Sequence, residues 1–484
     1  MSTRQDAVTG LRAPETRGAL RAARPAHPGW VLFILAVTQF VILLDTTIVT
    51  VALPSLQSDL NIADADRHWV VTAYAITFGG LLLLGGRISD YMGRKRALIG
   101  SLIGFGVASL LGGLAGTPEL VYAARGLQGV FAAVMAPVVL SILTATFTTP
   151  AERAKAFAVW GAVGGLGGSM GLILGGVLTE YTSWRWTLLV NTPATIAIAA
   201  AAYFILRESR AVGHKKYDIP GTLTSTAGIA AIVFGSTQAE RHGWTSGNTL
   251  VPMVVGVLLV ALFFLIEHRS THALLPLSVL NDRVRGSSFL ATFLLTGAVA
   301  ASNVLIIYYF QAVLDYSALE SGFAFVPMTM STLVFATIGG SIAPRLGVRP
   351  LVLAGSAAAV AGYLMLSAAD ASTAYWYSAL ALVLIGMAIG LAWPVLTGAA
   401  MAGVPDENAG AAGGAVNAAQ QVGGAIVIGV LNTVAATVAA DNGSIMDGLS
   451  VALRVCAALW IATAVVSLLI TVPKEELETA DVLV

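Results

Sequence analysis

Apolar residues fill the chain in long blocks, separated by short polar segments, from about residue 29 almost to its end. A helix needs about 20 apolar residues to cross the hydrocarbon core of a bilayer. The pattern therefore predicts an all-α integral membrane protein with fourteen spans. The predicted spans are 29–53, 67–87, 97–115, 119–146, 154–179, 185–206, 219–238, 249–267, 287–314, 320–343, 350–369, 373–401, 409–439 and 450–472.

The composition favours lipid over water as the solvent. The 484 residues are 57% hydrophobic and 11% charged, whereas a soluble domain carries about 25% charged residues. A formal net charge of zero argues against a nucleic-acid partner. The lone Cys456 cannot form an internal disulfide, and no Cys/His cluster has metal-site spacing. We therefore expect no metal, no organic cofactor and no catalytic constellation, which argues against an enzyme.

The positive charges are distributed unevenly about the predicted spans. We place 21 of the 26 Lys and Arg in the two tails and the even-numbered loops, four at the opposite face, and Arg125 within a span. Lys and Arg concentrate in cytoplasmic loops. This bias predicts a multi-pass protein of the plasma or inner membrane with both termini in the cytoplasm.

One charged stretch, residues 86–96 (GRISDYMGRKR), lies between two long apolar blocks. Its pattern of glycines and charges resembles the loop signature between the second and third helices of major facilitator superfamily transporters. The resemblance implies a cytoplasmic gate in which Asp90 caps the start of a late span near 408–410 and locks the outward-facing state. A role of Asp90 in folding alone is the alternative. The predicted gate residues are Gly86, Asp90, Gly93, Arg94 and Arg96.

A second copy of this stretch occurs at 340–349 (GSIAPRLGVR), with Gly340 and Gly347 matching Gly86 and Gly93, and Pro344 in place of the acid. Chance recurrence of Gly-rich turns is the alternative to an internal repeat. Two six-span halves with two extra spans between them is the arrangement of the fourteen-span drug and proton antiporters of this superfamily. The resemblance implies the major facilitator fold, with a substrate site near the bilayer midplane between the halves.

The repeat suggests a division of the chain into five parts. They are a disordered basic cytoplasmic tail at 1–28, a six-helix bundle at 29–206, a linker with two additional transmembrane helices at 207–285, a second six-helix bundle at 286–472 and a cytoplasmic tail at 473–484.

Asp45 is the only carboxylate well inside a predicted span. A charge there costs about 2.5–3.5 kcal/mol on insertion scales and is rarely tolerated without a role. Burial favours the protonated form of a carboxyl and a nearby cation favours the ionised form, so such a residue can carry a coupling proton. The surrounding LDTTIVTVALP resembles the first-span signature of the fourteen-span antiporters. A fixed ion pair that never titrates is the alternative.

Arg125 is the only basic residue deep in a span, within RGLQG and followed by Pro137. This resembles the fourth-span signature of the superfamily, whose arginine is tied to proton transfer. Because arginine does not deprotonate, it acts as a partner or an electrostatic gate. Our hypothesis is that Arg125 holds Asp45 ionised until a proton displaces the pair. An arginine that reaches out to interfacial water is the alternative.

The fifth predicted span is rich in glycine and resembles the antiporter signature of the superfamily, except that Leu172 occupies the proline position. Small residues let helices approach closely in lipid, and the missing proline predicts a less kinked helix. Packing without a gating role is the alternative. The glycines assigned to packing are Gly164, Gly168, Gly171, Gly175 and Gly176.

Polar residues within the spans are candidates for a substrate cavity, although in membrane bundles such groups more often bond to neighbouring helices. The candidates are Gln39, Gln128, Asn303, Tyr308, Gln311, Trp393, Asn417, Gln420 and Gln421.

The resemblance implies a monomeric, proton-coupled secondary transporter that exports small hydrophobic compounds such as drugs or antibiotics, with protons as the coupling ion. Only one acid lies within the membrane, so we expect neutral, anionic or monocationic substrates rather than dications. A proton-coupled importer on the same fold and a membrane sensor or scaffold are the alternatives. A scaffold would have no need of Asp45 or Arg125.

Overall fold

We describe the protein from a computed structural model. The structure describes residues 28–63, 66, 69–209, 218–270, 275 and 281–470. Apart from Pro28, the two predicted tails lie outside the described residues, as do parts of the predicted linker.

Each predicted apolar span coincides with a helix or a pair of consecutive helices. Most of the helices extend a few residues past the apolar block, into the polar boundary where side chains reach water. In chain order they are α1 (Pro28–Asp59), α2 (Trp69–Met92), α3 (Arg94–Gly113), α4 (Pro118–Thr146), α5 (Pro150–Tyr181), α6 (Arg185–Leu189), α7 (Asn191–Ile205), α8 (Ile219–His242), α9 (Gly247–Arg269), α10 (Arg283–Tyr308), α11 (Ala318–Ala324), α12 (Val326–Leu346), α13 (Val348–Ser367), α14 (Tyr375–Ala400), α15 (Ala409–Asn442) and α16 (Ile445–Ser467).

Thirteen helical segments within the described residues are long and apolar enough to cross a membrane. The helix α8 is not among them, because serine, threonine and glycine are frequent in it. Its 24 residues nevertheless give it a length of about 36 Å at 1.5 Å per residue. The count of fourteen spans therefore stays a prediction, and the all-α membrane architecture is confirmed.

The extra helices α8 and α9 form a hairpin whose two backbones nearly touch. A Cβ added to Gly228 would lie 3.1 Å from the carbonyl oxygen of Gly256, and one added to Gly256 would lie 2.8 Å from that of Gly228. Most other side chains of α9 are exposed or only partly buried. The hairpin thus packs through glycine on one side and presents apolar residues to lipid on the other.

The helix bundle has two ends, which differ in the connections that they carry. The loop end holds the connections at 93, 147–149, 206–209, 347 and 401–408, and the opposite end holds those at 60–63, 114–117, 182–184, 243–246, 314–317, 368–374 and 443–444.

The helices α1 to α7 form a first half and α10 to α16 a second half. One large apolar core lies in the second half, and the core of the first half continues into α8, α9 and the loop-end part of α15. Along one seam α5 packs against α11, α12 and α14. Along the other seam α2 and α4 pack against α15, and α8 contacts both α2 and α15.

Candidate functional site

Asp45 of α1 and Arg125 of α4 form an ion pair inside the first half. Arg125 Nη1 donates to Asp45 Oδ2 over 2.7 Å, and the exposed fractions of the two residues are 0% and 1%. The pairing inferred from the sequence is therefore present in the structure.

The second oxygen of the Asp45 carboxylate is held by two side-chain amides. Oδ1 accepts a hydrogen bond from Gln128 Nε2 at 3.0 Å and from Asn191 Nδ2 at 2.8 Å. Gln128 Nε2 also donates to Ser109 Oγ at 2.8 Å, and Gln128 Oε1 accepts from Arg125 Nη1 at 2.8 Å. An ionised carboxylate only accepts hydrogen bonds, so this ring of donors fits the ionised form of Asp45.

The guanidinium of Arg125 is also bound by the start of α2. Its Nε donates to the carbonyl oxygen of Val70 at 3.0 Å, and the group lies 4.5 Å from the ring centroid of Tyr74, within the range of a cation–π contact. Removing one partner of a buried ion pair typically costs 3–5 kcal/mol, because the other charge is left without compensation. The network thus ties together α1, α2, α3, α4 and α7.

The ion pair lies nearer the opposite end than the loop end. Arg125 is seven residues past Pro118, where α4 begins at the opposite end, which corresponds to about 10 Å along the helix axis. Val70 is the second residue of α2 at the same end. A proton arriving from the opposite end therefore has the shorter path to Asp45.

Three partners of the pair were not assigned from the sequence: Asn191, Ser109 and Tyr74. An amide that begins a helix within an apolar span was an available signal for Asn191, which opens α7 directly after the chain bends at Val190. Gln128 was assigned to the substrate cavity. The structure corrects this, because Gln128 lies one turn from Arg125 on α4 and is fully buried in the ion-pair network.

At the loop end, Gly86 of α2 and Gly410 of α15 bring the two halves into backbone contact. A Cβ on either glycine would collide with the carbonyl oxygen of the other. One turn along α2, Asp90 Oδ1 accepts a hydrogen bond from the N–H of Gly410 at 3.3 Å. The first N–H groups of a helix have no partner within it, so Asp90 caps α15 within the predicted range 408–410.

Arg87, which was not assigned from the sequence, strengthens this contact. Its Nη1 lies 3.9 Å from Asp90 Oδ2 and donates to the carbonyl oxygen of Glu407 at 3.4 Å and to Asn408 Oδ1 at 3.5 Å. An arginine and an acid of α2 thus both hold the start of α15.

The remaining gate residues bind within the first half instead of across the seam. Gly93 makes the turn between α2 and α3 with φ of 99°, a value that favours glycine. The backbone N–H of Arg94 donates to the carbonyl oxygen of Ser209 at 3.0 Å, and Arg96 Nε lies 3.5 Å from Glu208 Oε2. Gly93, Arg94 and Arg96 therefore fix the connection that follows α7.

The sequence repeat has a structural counterpart. Gly347 makes the turn between α12 and α13 with φ of 78°, as Gly93 does in the first half. Gly340 of α12 lies against Ala158 and Ala154 of α5, as Gly86 of α2 lies against α15. In each half, the matched glycine contacts the opposite half near the loop end.

Glycines of α5 form a stripe that packs on α1. A Cβ on Gly164 would lie 3.2 Å from Gln39 Cγ, and Cβ atoms on Gly167, Gly171 and Gly175 would lie within 3 Å of backbone oxygens of α1. The helix α5 runs without interruption from Pro150 to Tyr181, and the smaller kink expected from the missing proline stays a prediction.

The packing role assigned to Gly168 is wrong. No atom lies within 4 Å of the position that its Cβ would occupy. The neighbouring Gly167 lies on the α1 face instead, because successive residues of a helix point about 100° apart. Gly176 also turns away from α1, and its Cβ position is 3.8 Å from Leu319 Cδ1 of the second half.

The remaining cavity candidates fall into three groups. Asn417 is buried and donates to the carbonyl oxygen of Gly413 in its own helix at 2.9 Å. Tyr308 and Gln311 are exposed at the opposite end, with Tyr308 at 57%. The others are buried or half-buried, and four of them hold a buried polar atom without a hydrogen-bond partner: Gln39 Oε1, Asn303 Oδ1, Trp393 Nε1 and Gln420 Nε2. Gln421 is half-buried beside Gly79 of α2. Their role in binding substrate stays a prediction.

Two helical halves that meet along two seams, with a charge pair buried in one of them, define a multi-pass membrane transporter. Residues 35–428 match the Major Facilitator Superfamily. The chain belongs to the Major Facilitator Superfamily.

Two characterised relatives cover almost the whole chain. The chain is 40% identical over 454 residues to the puromycin resistance protein pur8 of Streptomyces alboniger, a match that covers 90% of each protein. It is 36% identical over 439 residues to the cephamycin export protein CmcT of Amycolatopsis lactamdurans, with 88% of each protein covered. Among solved structures, the human organic anion transporter MFSD10 aligns with a TM-score of 0.66 and 16% identity over 91% of this chain and 99% of that one. At this identity the structural match supports the fold alone.

Proposed function

We propose that this protein exports small hydrophobic compounds, antibiotics among them, in exchange for protons by alternating access. The buried ion pair of Asp45 and Arg125 is the observation that supports proton coupling. It consists of a carboxyl group inside the membrane and a cation from which protonation would separate it. The export of antibiotics is supported by the relatives that are named for resistance and export.

The excess of Lys and Arg in the loop-end connections and tails orients the protein with that end in the cytoplasm of a plasma or inner membrane. The ion pair then lies toward the outer side. A proton entering from outside reaches Asp45 first, neutralises the carboxyl and releases the guanidinium of Arg125. Gln128, Val70 and Tyr74 still bind the released guanidinium, so the cation is not left without partners.

Release of Arg125 from α1 removes a tie between α1 and α4 in the first half. The halves then rock about the two seams. The contacts of Gly86 and Asp90 with Gly410 break, and the loop end opens to substrate. Reformation of the ion pair returns the proton to the cytoplasm. One charge crossing 100 mV is worth about 2.3 kcal/mol, which sustains a concentration gradient of order 10²-fold. The working unit is a monomer, with no cofactor besides the proton.

The test is efflux of preloaded Nile red from cells that make the wild-type protein or Asp45→Asn, with and without an uncoupler. Asp59→Asn is the matched control, since Asp59 is an exposed carboxylate at the end of the same helix. We expect efflux that requires both Asp45 and the proton gradient and that survives Asp59→Asn.

Other outcomes separate the alternatives. Uncoupler-sensitive efflux that survives Asp45→Asn would place the proton site elsewhere, with Asp90 as the next candidate. Energy-dependent accumulation inside the cells would establish an importer. A wild type without efflux or accumulation, in which neutral replacement of Asp45 and of Arg125 also has no phenotype, would favour a sensor or scaffold.

A further inference from the structure

A groove of about 320 Å³ opens at the loop end of the seam between α5 and α12. Its lining residues are Ala151, Lys155, Ala158 and Val159 of α5 and Thr337, Gly340, Ser341 and Pro344 of α12. Gly340 and Ala158 are buried and pack directly against each other, so they form the floor. Lys155 and Ser341 are exposed on either side of the mouth. Because α5 and α12 belong to different halves, a molecule in this groove touches both halves at once.

The sequence repeat relates this seam to the seam between α2 and α15. There, Arg87 and Asp90 of α2 reach across to the start of α15. The matching residues of α12 are Ser341 and Pro344. Ser341 Oγ donates to the carbonyl oxygen of Ile338 in its own helix at 2.7 Å, and proline has neither a charge nor an N–H. The polar contacts that Arg87 and Asp90 make across one seam therefore have no counterpart from the matching residues of the other.

Pro344 also leaves a backbone acceptor open in the groove. In an α-helix each carbonyl oxygen accepts from the N–H four residues further on, and proline has no N–H. The carbonyl oxygen of Gly340 therefore lacks its helical donor, and Gly340 and Pro344 both line the groove. An unsatisfied backbone group is costly at membrane depth, so this oxygen is an acceptor for a bound group.

Lys155 provides a positive charge on the facing wall. It lies five residues past Pro150, where α5 begins at the loop end, which corresponds to about 7.5 Å along the helix axis. This depth is comparable to the thickness of the lipid headgroup region. Within the part of the chain that the structure describes, Lys155 forms no ion pair. Its ammonium donors are therefore available to an anion in the groove.

The helix ends that meet at the groove carry an excess of positive charge. Residues 150–155 and 344–349 contain four basic side chains and one acid. The acid, Glu152, is engaged at the start of its own helix, where its Oε2 accepts from Thr149 Oγ1 at 3.0 Å. This balance favours an anionic partner over a cationic one.

The surface next to the groove is apolar. Val334 and Ile338 of α12 are 50% and 42% exposed, and they lie on the side of Ser341 that leads toward the middle of the membrane. An anion with hydrocarbon chains can place its charge at Lys155 and its chains along these side chains. A free inorganic phosphate would make no use of this surface, so the groove fits a lipid better than a soluble anion.

We propose that this groove binds an anionic phospholipid with a hydroxylated headgroup, of the phosphatidylglycerol class. The phosphate accepts from Lys155 Nζ, a headgroup hydroxyl donates to the carbonyl oxygen of Gly340, and the acyl chains lie along α12. Basic pockets between helices on the cytoplasmic side are suited to such headgroups. Because the two walls belong to different halves, the bound lipid holds the loop end closed at the seam where Pro344 replaces the acid. This site goes beyond the proposed export function and does not depend on it.

The binding test uses the full-length protein purified in detergent and native mass spectrometry, which counts bound lipids and gives the Kd of the first one. The probes are dioleoyl phosphatidylglycerol, dioleoyl phosphatidylethanolamine and dioleoyl phosphatidylcholine. Wild type is compared with Lys155→Gln and Lys155→Arg. Arg283→Gln is the matched control, because Arg283 is exposed at the loop-end start of α10 and does not line the groove.

We expect wild type to bind phosphatidylglycerol about tenfold more tightly than phosphatidylcholine. Lys155→Gln should raise the Kd for phosphatidylglycerol about fivefold, which is the usual effect of one basic side chain on anionic lipid, and Lys155→Arg should restore it. Arg283→Gln should bind as wild type does. Equal binding of phosphatidylglycerol and phosphatidylcholine by wild type, or an unchanged Kd in Lys155→Gln, would overturn the site. Equally tight binding of phosphatidylethanolamine would overturn the anionic class.

Pro344→Ala tests the open carbonyl group. The new N–H bonds to the Gly340 carbonyl oxygen within the helix, so phosphatidylglycerol should lose one hydrogen bond and bind about fivefold more weakly. Alanine suits a helix interior better than proline does, so the fold is retained. Pro252→Ala, at an interior proline of α9, is the control and should bind as wild type does. Unchanged binding in Pro344→Ala would overturn the contact with Gly340.

The effect on the loop end is measured in nanodiscs of phosphatidylcholine with or without phosphatidylglycerol. The reporter is alkylation of Ala415→Cys by uncharged N-ethylmaleimide in a Cys456→Ser background, because Ala415 is buried on α15 at the other seam. Phosphatidylglycerol should slow alkylation severalfold, and Lys155→Gln should abolish the difference. Equal rates in the two lipids would overturn the closing role. No transport is measured, so failure of the proposed export function would leave these results unaffected.

Discussion

Asp90 of α2 accepts a hydrogen bond from the backbone N–H of Gly410 of α15, so a carboxylate of the first half caps a helix of the second. A negative group at a helix start gains about 0.3–1 kcal/mol from the helix dipole. The contact also needs the backbone approach that Gly86 and Gly410 permit. The hydrogen bond of Asp90 and the close backbone contact at the loop end therefore form only when the two halves are in contact.

Replacement of Asp90 by asparagine should slow efflux severalfold while leaving expression normal. The amide keeps an acceptor for Gly410 but loses the charge that attracts Arg87 and the helix start. Initial efflux rates, normalised to protein in the membrane, provide the measurement. Asp282→Asn is the control, because Asp282 caps α10 within its own half. Wild-type rates in Asp90→Asn would show that the charge is dispensable for gating.

Replacement of Gly86 by valine should hold the loop end open. Its side chain would occupy the place of the Gly410 carbonyl group, so α2 and α15 cannot approach. In a Cys456→Ser background, a cysteine introduced at Ala415 reports the change, since Ala415 of α15 is 8% exposed and packs in the core of the first half. We expect faster alkylation of this cysteine in Gly86→Val than in Gly100→Val. Gly100 is the control because it lies on the exposed face of α3 with open space at its Cβ. Equal rates in the two variants would exclude a gating role for Gly86.

Replacement of Arg125 by alanine should destabilise the protein by about 3–5 kcal/mol, because it leaves the buried Asp45 carboxylate without its cation. The double variant Asp45→Asn/Arg125→Ala should recover much of this stability, since no charge is then left unpaired. Thermal unfolding in detergent measures both effects. Neither variant should transport, because the proton site is absent or lacks its partner. A double variant no more stable than Arg125→Ala would show that lost packing, and not the unpaired charge, causes the damage.

The spans and the ion pair could be predicted from the sequence because both follow from the cost of placing polar groups in lipid. An apolar block must be helical there, and Asp45 and Arg125 were conspicuous as charges inside such blocks. The same cost indicated that they pair, although they are 80 residues apart. Partners without a charge gave no such signal. Ser109 is a common residue type, and only the packing of α3 against α4 selects it. For Asn191 the one available signal was an amide at a helix start within an apolar block.

For the glycines of α5, the sequence does not determine which of them face α1. Gly167 and Gly168 are adjacent, and the spacing of glycines alone does not determine which of them faces α1. The phase of the helix decides this, and it is set by contacts with two neighbours at once. Glu208, in the connection that follows α7, was missed for a related reason. Its contacts with Lys95 and Arg96 arise from the close approach of two loop-end connections that are distant in the sequence.

Replacement of Gly175 by alanine should lower the midpoint of thermal unfolding, whereas Gly168→Ala should leave it unchanged or raise it. A Cβ on Gly175 would lie 2.6 Å from the carbonyl oxygen of Ile48, and overpacking of this kind costs about 1–3 kcal/mol. At Gly168 the same methyl group meets open space, and alanine favours the helix by about 1 kcal/mol over glycine. Equal midpoints for the two variants would contradict the assignment of faces on α5.

The hairpin of α8 and α9 contacts both halves of the protein. On one side α8 packs against α2, where a Cβ on Gly80 would lie 3.1 Å from the carbonyl oxygen of Thr226. On the other side Trp244, in the turn of the hairpin, donates from Nε1 to Thr433 Oγ1 of α15 at 2.8 Å. The indole hydrogen bond is therefore a tie between the extra helices and a helix of the seam.

Trp244→Phe and Thr433→Val each remove one partner of this hydrogen bond and should each destabilise the protein by about 1 kcal/mol. The indole N–H also has a longer contact with the carbonyl oxygen of Gly429 at 3.4 Å, so the double variant should cost clearly less than the sum of the two single losses, and a thermal-unfolding cycle measures this coupling. Thr437→Val, one turn further along α15 and exposed, is the control and should have no effect. Additive losses in the double variant would mean that Trp244 and Thr433 act separately, and that the hairpin is held to α15 by packing against Gly429 instead.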